Sequence, residues 1–334
     1  MAQSKKASDI HISVGAPILF RCGKDLIPST GGNVTLELCE RLITDLLNED
    51  QLKAFHNDGD FDLLLIDNNE ARYRVNVSMC NQSPGLVIRV LAASVPSVDA
   101  LQLPPVVHKL ANMTKGLVLV TGSTSQGKTT TMSAIINEIN EKQRRHIVTI
   151  EDPIEILHRN KKSLIRQREV GRDTDSFYRG LRSALRQDPD IIAIGEMRDY
   201  ETIRIALIAA ETGVLVLSTL HIISIDKLVE RMLSYAPMDD QSHFRYLLAD
   251  ALQGVIHQEL VPTVDGGKRV ATEVMVVTDA IRNIIRSRDS FHLRNALHTG
   301  SKHGMVTMRQ SVDNLLETGV ITPEAAQNIL ANYV

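Results

Sequence analysis

Gly122-Ser123-Thr124-Ser125-Gln126-Gly127-Lys128-Thr129 comes one residue after the apolar run Leu117-Val118-Leu119-Val120, so a G-x-x-x-x-G-K-T pattern closes what reads as a buried strand. Downstream, Met132, Ile135, Ile136 and Ile139 fall on one face of a helix running through Asn140. Strand, glycine-rich loop and helix in this order make a phosphate-binding loop. Its backbone N–H groups turn inward around a polyphosphate, its lysine neutralises the charge, and its hydroxyl reaches a magnesium ion. On this reading Gly122, Ser123, Thr124, Ser125, Gln126, Gly127, Lys128, Thr129 and Thr130 hold the nucleotide, and Thr129 also faces the metal.

The pattern around the loop extends that unit into a fold. Strand-like runs at 117–120, 146–150, 190–194 and 214–219 alternate with helical stretches near 129–141, 175–187 and 200–212, which predicts a mainly parallel sheet flanked by helices. Pro262 and Asp265-Gly266-Gly267 mark a turn before a strand over 269–277, and helical patterns run from Ala280 to the end, with Thr322-Pro323-Glu324 opening the last helix. Toward the N-terminus, Leu38, Leu42, Ile43, Leu46 and Leu47 give one helix an apolar stripe, with Thr35 at its start. Strands over 61–66 and 71–77 join across Asp67-Asn68-Asn69-Glu70, and a third strand over 86–91 completes an antiparallel unit. Pro96, Pro104 and Pro105 cannot continue a helix or sit in a central strand, so the stretch around them reads as a linker. The expected domains are 1–92, a linker over 93–105, an α/β core over 106–278 and a C-terminal helical region over 279–334.

Hydrolysis needs more than a phosphate loop: a carboxylate must orient water, and a metal must offset the developing charge. The strand 146–150 runs into Glu151-Asp152-Pro153-Ile154-Glu155, and the strand 190–194 runs through Gly195 into Glu196. In an open α/β sheet, ligands bind at the carboxyl edge of the strands, so these acids converge on the loop. Read alone, Glu151, Asp152 and Glu155 equally well cap a turn, and Glu196 equally well pairs with Arg198. His221 follows the strand 214–220 and is placed either to donate a hydrogen bond to a terminal phosphate or to satisfy backbone groups at the strand end. Arg72 and Arg74 share one face of a strand, opposite Tyr73, Val75 and Val77, with Arg89 on the next strand. That face suits either solvent or, as arginine fingers, the phosphates bound by a neighbouring subunit.

Composition excludes several classes. A formal net charge of −3 gives no basic footprint for nucleic acid, and the absence of tryptophan removes the usual base-stacking platform. Cys22, Cys39 and Cys80 stand singly, without a metal-binding pair or a disulfide framework, which fits a reducing cytoplasm. The most apolar stretch, 203–220, is broken by Arg204 and Glu211, and no apolar signal core follows the basic N-terminus, so direct membrane insertion is not expected.

Together these stretches resemble the type IV pilus retraction ATPases, the twitching-motility branch of the type II/IV secretion ATPases. Ala7-Ser8-Asp9-Ile10-His11-Ile12 is similar to the family's opening strand, Glu151 to Glu155 to its aspartate box, Gly195-Glu196-Met197-Arg198-Asp199 to its second nucleotide motif, and Thr219-Leu220-His221 to its histidine box. Ala280-Ile281-Arg282-Asn283-Ile284-Ile285-Arg286 is similar to the signature of retraction rather than assembly motors, and the four-cysteine zinc module of the assembly branch is absent. The resemblance implies an α/β protein with a PAS-like N-terminal α+β domain, a RecA-like P-loop ATPase domain and a C-terminal helical region. It also implies a homohexamer that uses ATP and Mg2+ in the cytoplasm, peripheral to the inner membrane. Its partners would be the inner-membrane pilus platform protein and a paralogous pilus ATPase. The implied catalytic residues are Glu196, Glu151, Asp152, Glu155, His221, Arg72, Arg74 and Arg89, with Mg2+ at Thr129 and Glu196. Two other readings stay open: a type IV secretion or conjugation ATPase, and a weakly hydrolysing nucleotide-gated regulatory ring.

The loop departs from the family's usual G-P-T-G-S-G-K-S/T. Ser123 stands for proline, Ser125 for glycine and Gln126 for serine. If position 125 needs a positive φ, serine there costs about 1 kcal/mol that glycine avoids. Ile222 and Ile223 replace small polar residues after His221, Ser287 replaces the glutamate that ends the C-terminal signature, and the helix usual before the opening strand is missing or very short.

Overall fold

A computed structural model describes residues 7–23, 25–67, 71–91, 95–287 and 292–333. The chain divides into two units, 1–94 and 95–334. The hairpin turn expected over 68–70 and the first linker residues, 93–94, lie outside the described residues.

The smaller unit contains β1 (Asp9–Ser13), β2 (Leu19–Cys22), β3 (Asp25–Pro28), α1 (Leu36–Leu46), α2 (Glu49–Asp58), β4 (Asp60–Ile66), β5 (Arg72–Cys80) and β6 (Ser83–Val90). Its strands form one antiparallel sheet in the order β3-β2-β1-β6-β5-β4. Thr35 caps α1 as expected, accepting from the Leu38 N–H at 3.2 Å. The buried stripe of that helix is rotated from the expected one: Cys39 and Ile43, with Leu47 just past the end, enter the core, whereas Leu38 is 43% exposed. α2 escaped the sequence reading because Leu52 and Phe55 are its main apolar residues; a capping box between Asn48 and Gln51 defines its start instead.

The larger unit runs through α3 (Val106–Ala111), β7 (Gly116–Thr121), α4 (Lys128–Lys142), β8 (His146–Glu151), β9 (Leu164–Glu169), α5 (Phe177–Ala184), β10 (Ile191–Ile194), α6 (Tyr200–Glu211) and β11 (Leu215–Leu220). It continues with α7 (Leu228–Leu233), α8 (Gln241–Ala251), β12 (Leu252–Pro262), β13 (Lys268–Val276), α9 (Asp279–Arg286), α10 (Leu293–His298), α11 (Met308–Glu317) and α12 (Pro323–Leu330). The seven strands order as β13-β12-β7-β11-β10-β8-β9, all parallel to their neighbours except β13.

Both faces of this sheet are covered, which explains why its strands read as unbroken apolar runs. Along β7, Leu117 and Leu119 join one core with residues of α5, α6 and α8, whereas Val118 and Val120 join a second core with α3 and α4. Met132, Ile135, Ile136 and Ile139, predicted as the apolar face of α4, all lie in that second core. The segment expected as a linker belongs to the larger unit from residue 95 onward: Val98 and Leu103 are buried in the same core. Its prolines forbid regular structure but not burial. No helix among the described residues is long and apolar enough to cross a membrane.

Candidate active site

Register along the parallel strands sets the site. Thr121 pairs with Leu220, and Ile194 pairs with both Ser218 and Ile150. The phosphate loop, His221, Glu196 and Glu151 therefore leave one edge of the sheet together, the carboxyl edge where open α/β sheets bind ligands.

The loop bends as its sequence demands. Gly122 has φ 147° and Gly127, which caps α4, has φ 79°. A Cβ on Gly122 would stand 2.5 Å from the Gln258 backbone oxygen, so a side chain is excluded there by space as well as by φ. Ser125 adopts φ 63°, the left-handed conformation in which the family's glycine would be unstrained. Ser125→Gly is expected to raise the unfolding free energy of the larger unit by ~1 kcal/mol, read from its chemical denaturation midpoint. An unchanged or lower midpoint would mean that the loop carries no strain at this position.

Lys128 begins α4, and its side chain folds back into the loop. Nζ donates to the Gly122 and Ser123 carbonyl oxygens at 2.9 and 2.8 Å and lies 3.1 Å from His221 Nδ1. Because an ammonium only donates, His221 Nδ1 accepts, and the proton falls to Nε2, which lies 3.2 Å from Glu196 Oε1. Glu196 Oε2 accepts from Arg198 at 2.8 Å. Lysine, histidine, glutamate and arginine thus form one connected chain across three strand ends. Burial pushes the Lys128 ammonium below the ordinary lysine range, and the Glu196 carboxylate opposes that shift. Glu196 thus pairs with Arg198 and also reaches the loop lysine through His221.

The other acids separate. Glu151 is buried and accepts from Thr149 Oγ1 at 2.5 Å and from Gln167 Nε2 at 2.9 Å. Burial raises its pKa above the usual carboxylate range; the two hydrogen bonds act against that rise, and Glu155 and Glu169 add to it. Asp152 is exposed and lines a cavity of about 480 Å³ with Arg198, Phe177 and Tyr178. Glu155 is half-buried near Glu151. The backbone at Glu196 is braced by Ser218 Oγ, which donates to the Ile194 carbonyl at 2.9 Å, and by Thr219 Oγ1, which donates to the Gly195 carbonyl at 2.6 Å.

Arg72, Arg74 and Arg89 lie on the sheet of the smaller unit, where Arg74 and Arg89 are register partners. Val75 and Val77 occupy the buried face, as alternation requires. Arg74 pairs with Asp62 at 3.4 Å and Arg89 with Asp9 at 2.8 Å. Two acids therefore pair with Arg74 and Arg89, a feature that strand periodicity does not reveal.

Sequence reasoning passed over β12. It runs straight on from α8 with no turn residue between Ala251 and Leu252, so no boundary signal marks it. Yet β12 flanks β7 and supports the loop. Gln258 Nε2 donates to the Gln126 carbonyl at 2.6 Å, and the Leu260 N–H donates to Gln126 Oε1 at 2.6 Å. Thr121, just before the loop, lies 3.0 Å from the buried His257 through its hydroxyl and Nδ1.

A model of the family described as type II/IV secretion system protein matches residues 1–331. The type IV pilus retraction ATPase PilT of Pseudomonas aeruginosa is 41% identical over 321 residues, which is 96% of this chain and 93% of that protein. A twitching motility protein of Neisseria gonorrhoeae is 44% identical over 87% of this chain and 78% of its own length. A crystal structure of the pilus retraction motor PilT with bound ADP superposes with a TM-score of 0.91 at 37% identity, covering 98% of this chain and 94% of that one.

Proposed function

This chain belongs to the type II/IV secretion system protein family, and from that premise we propose that it is a hexameric ATPase that powers type IV pilus retraction. The observation that carries the reading is the connected chain from Lys128 through His221 to Glu196, placed at the carboxyl edge of a chain similar along 98% of its length to an ADP-bound retraction motor. The smaller unit is the PAS-like N-terminal domain, within 1–92; the RecA-like core spans 106–278 and the C-terminal helical region 279–334.

Inward-facing N–H groups of the loop, together with Lys128, bind the ATP phosphates. Thr129 and Glu196 offer a hydroxyl and a carboxylate, the hard oxygen donors that suit Mg2+. An ion held there would supply positive charge against that developing on the phosphates. Glu196 orients and deprotonates the attacking water, and His221, whose Nδ1 meets Lys128, is placed to donate a hydrogen bond to the terminal phosphate. Glu151, Asp152 and Glu155 shape the field around the reacting water.

Arg72, Arg74 and Arg89 supply charge to the nucleotide of a neighbouring subunit. The exposed ion pair of Arg74 with Asp62 is worth at most about 1 kcal/mol, so exchanging that carboxylate for a phosphate is within reach of assembly. Sequential hydrolysis around the ring drives domain rotations that act on the inner-membrane pilus platform protein from the cytoplasm, alongside a paralogous pilus ATPase.

Deleting the gene and imaging labelled pili in living cells tests the biological half of this reading. The expected result is cells that extend pili but never retract them. Normal retraction with lost protein secretion would instead favour a type IV secretion or conjugation ATPase.

A further inference from the structure

Gln258 is fully buried on β12 and touches the phosphate loop at both ends. Its backbone oxygen fills the space beside Gly122, and its side-chain amide donates to the Gln126 carbonyl at 2.6 Å. Gln126 answers in the opposite direction, its Oε1 accepting from the Leu260 N–H at 2.6 Å. That N–H lies past the last paired residues of β7 and β12, Thr121 and His257, so the Gln126 side chain supplies an acceptor where β7 has already turned away.

The clasp has a chemical consequence. In a trans peptide the carbonyl and the next N–H point in opposite directions. Holding the Gln126 carbonyl toward β12 therefore turns the Gly127 N–H away from β12. We propose that Gln258 is a positioning residue for phosphate binding: with Gln126 it fixes the Gln126–Gly127 peptide so that the Gly127 N–H faces the bound nucleotide. The inference rests on the nucleotide-site reading above. It also gives the amide at this position a use. Gln258 Oε1 is buried and makes no hydrogen bond among the described residues, a costly arrangement that a methionine of the same length avoids. The donor, not the packing, is what the loop uses.

Gln258→Met and Gln126→Met, made separately in the full chain, test this by calorimetric titration with Mg-ADP and by thermal unfolding without nucleotide. Each variant is expected to bind Mg-ADP about three- to tenfold more weakly, the loss that one hydrogen bond accounts for. The KM for ATP should rise with kcat preserved, and the nucleotide-free unfolding temperature should stay at the wild-type value. Wild-type affinity in both variants would overturn the clasp while leaving the nucleotide site intact, as would a fall in unfolding temperature with no change in affinity. A wild-type chain that binds no Mg-ADP would overturn the nucleotide-site reading first, and this inference with it.

Discussion

Lys128→Ala is expected to abolish ATP turnover, lowering it by at least about 10²-fold, because it removes the charge that neutralises the phosphates both in the bound nucleotide and in the transition state. The fold should survive. Burial already works against the charged form of this lysine, and of its partners His221 keeps Glu196 at 3.2 Å. Glu196, the nearby carboxylate, keeps Arg198 at 2.8 Å and His221 at 3.2 Å, so no unpaired charge is left behind. Steady-state phosphate release and far-ultraviolet circular dichroism check the two halves together. A variant that stays folded and hydrolyses ATP at the wild-type rate would remove Lys128 from the mechanism.

Glu196→Gln separates chemistry from binding. Glutamine matches glutamate in shape but cannot take a proton from water, so turnover should fall by about 10²- to 10⁴-fold, the contribution usual for a general base. Mg-ADP affinity should change far less, because the phosphate loop and Lys128 are untouched and the glutamine Oε1 still offers an oxygen where Glu196 would hold Mg2+. Equal losses in affinity and turnover would assign Glu196 to ground-state binding. A near wild-type turnover would pass the general-base role to the buried Glu151, the carboxyl at the neighbouring strand end, whose pKa burial raises.

How much of this could be read from the chain depended on whether a feature is local. The phosphate loop, α4 and the strand ends at Glu151, Glu196 and His221 are contiguous motifs that obey the periods of strand and helix, and sequence exposes them directly. The positive φ at Ser125 is legible only as a condition, drawn from the glycine usual at that place in the family, and the structure meets it at 63°. Contacts between distant segments were not. Nothing in the run Leu252–Pro262 announces that Gln258 will meet Gln126, 132 residues away. Asp9 and Asp62 likewise gave no sign that they would neutralise Arg89 and Arg74. The apolar stripe of α1 was misjudged for a related reason: the period fixes that one face is buried, but Cys39 outcompetes Leu38 only because of where β6 lies, with Cys39 Sγ donating to the Pro84 carbonyl at 3.2 Å.

The altered loop bears on rate rather than on identity. Ser125 sits in the left-handed region, and Gln126 ties the loop to β12 where the family's serine is too short to reach. Together they describe a loop held in shape at some cost, as is common where backbone strain sits at a functional site. A regulatory ring that binds ATP tightly and barely turns it over would share this loop but would be indifferent to Glu196→Gln.

Phosphate release by the purified wild-type chain in Mg-ATP is therefore the most direct test of the central claim that this site hydrolyses ATP. The account predicts steady release that stops when the magnesium is chelated and that Lys128→Ala and Glu196→Gln both lack. A wild-type rate no higher than that of Lys128→Ala would contradict it.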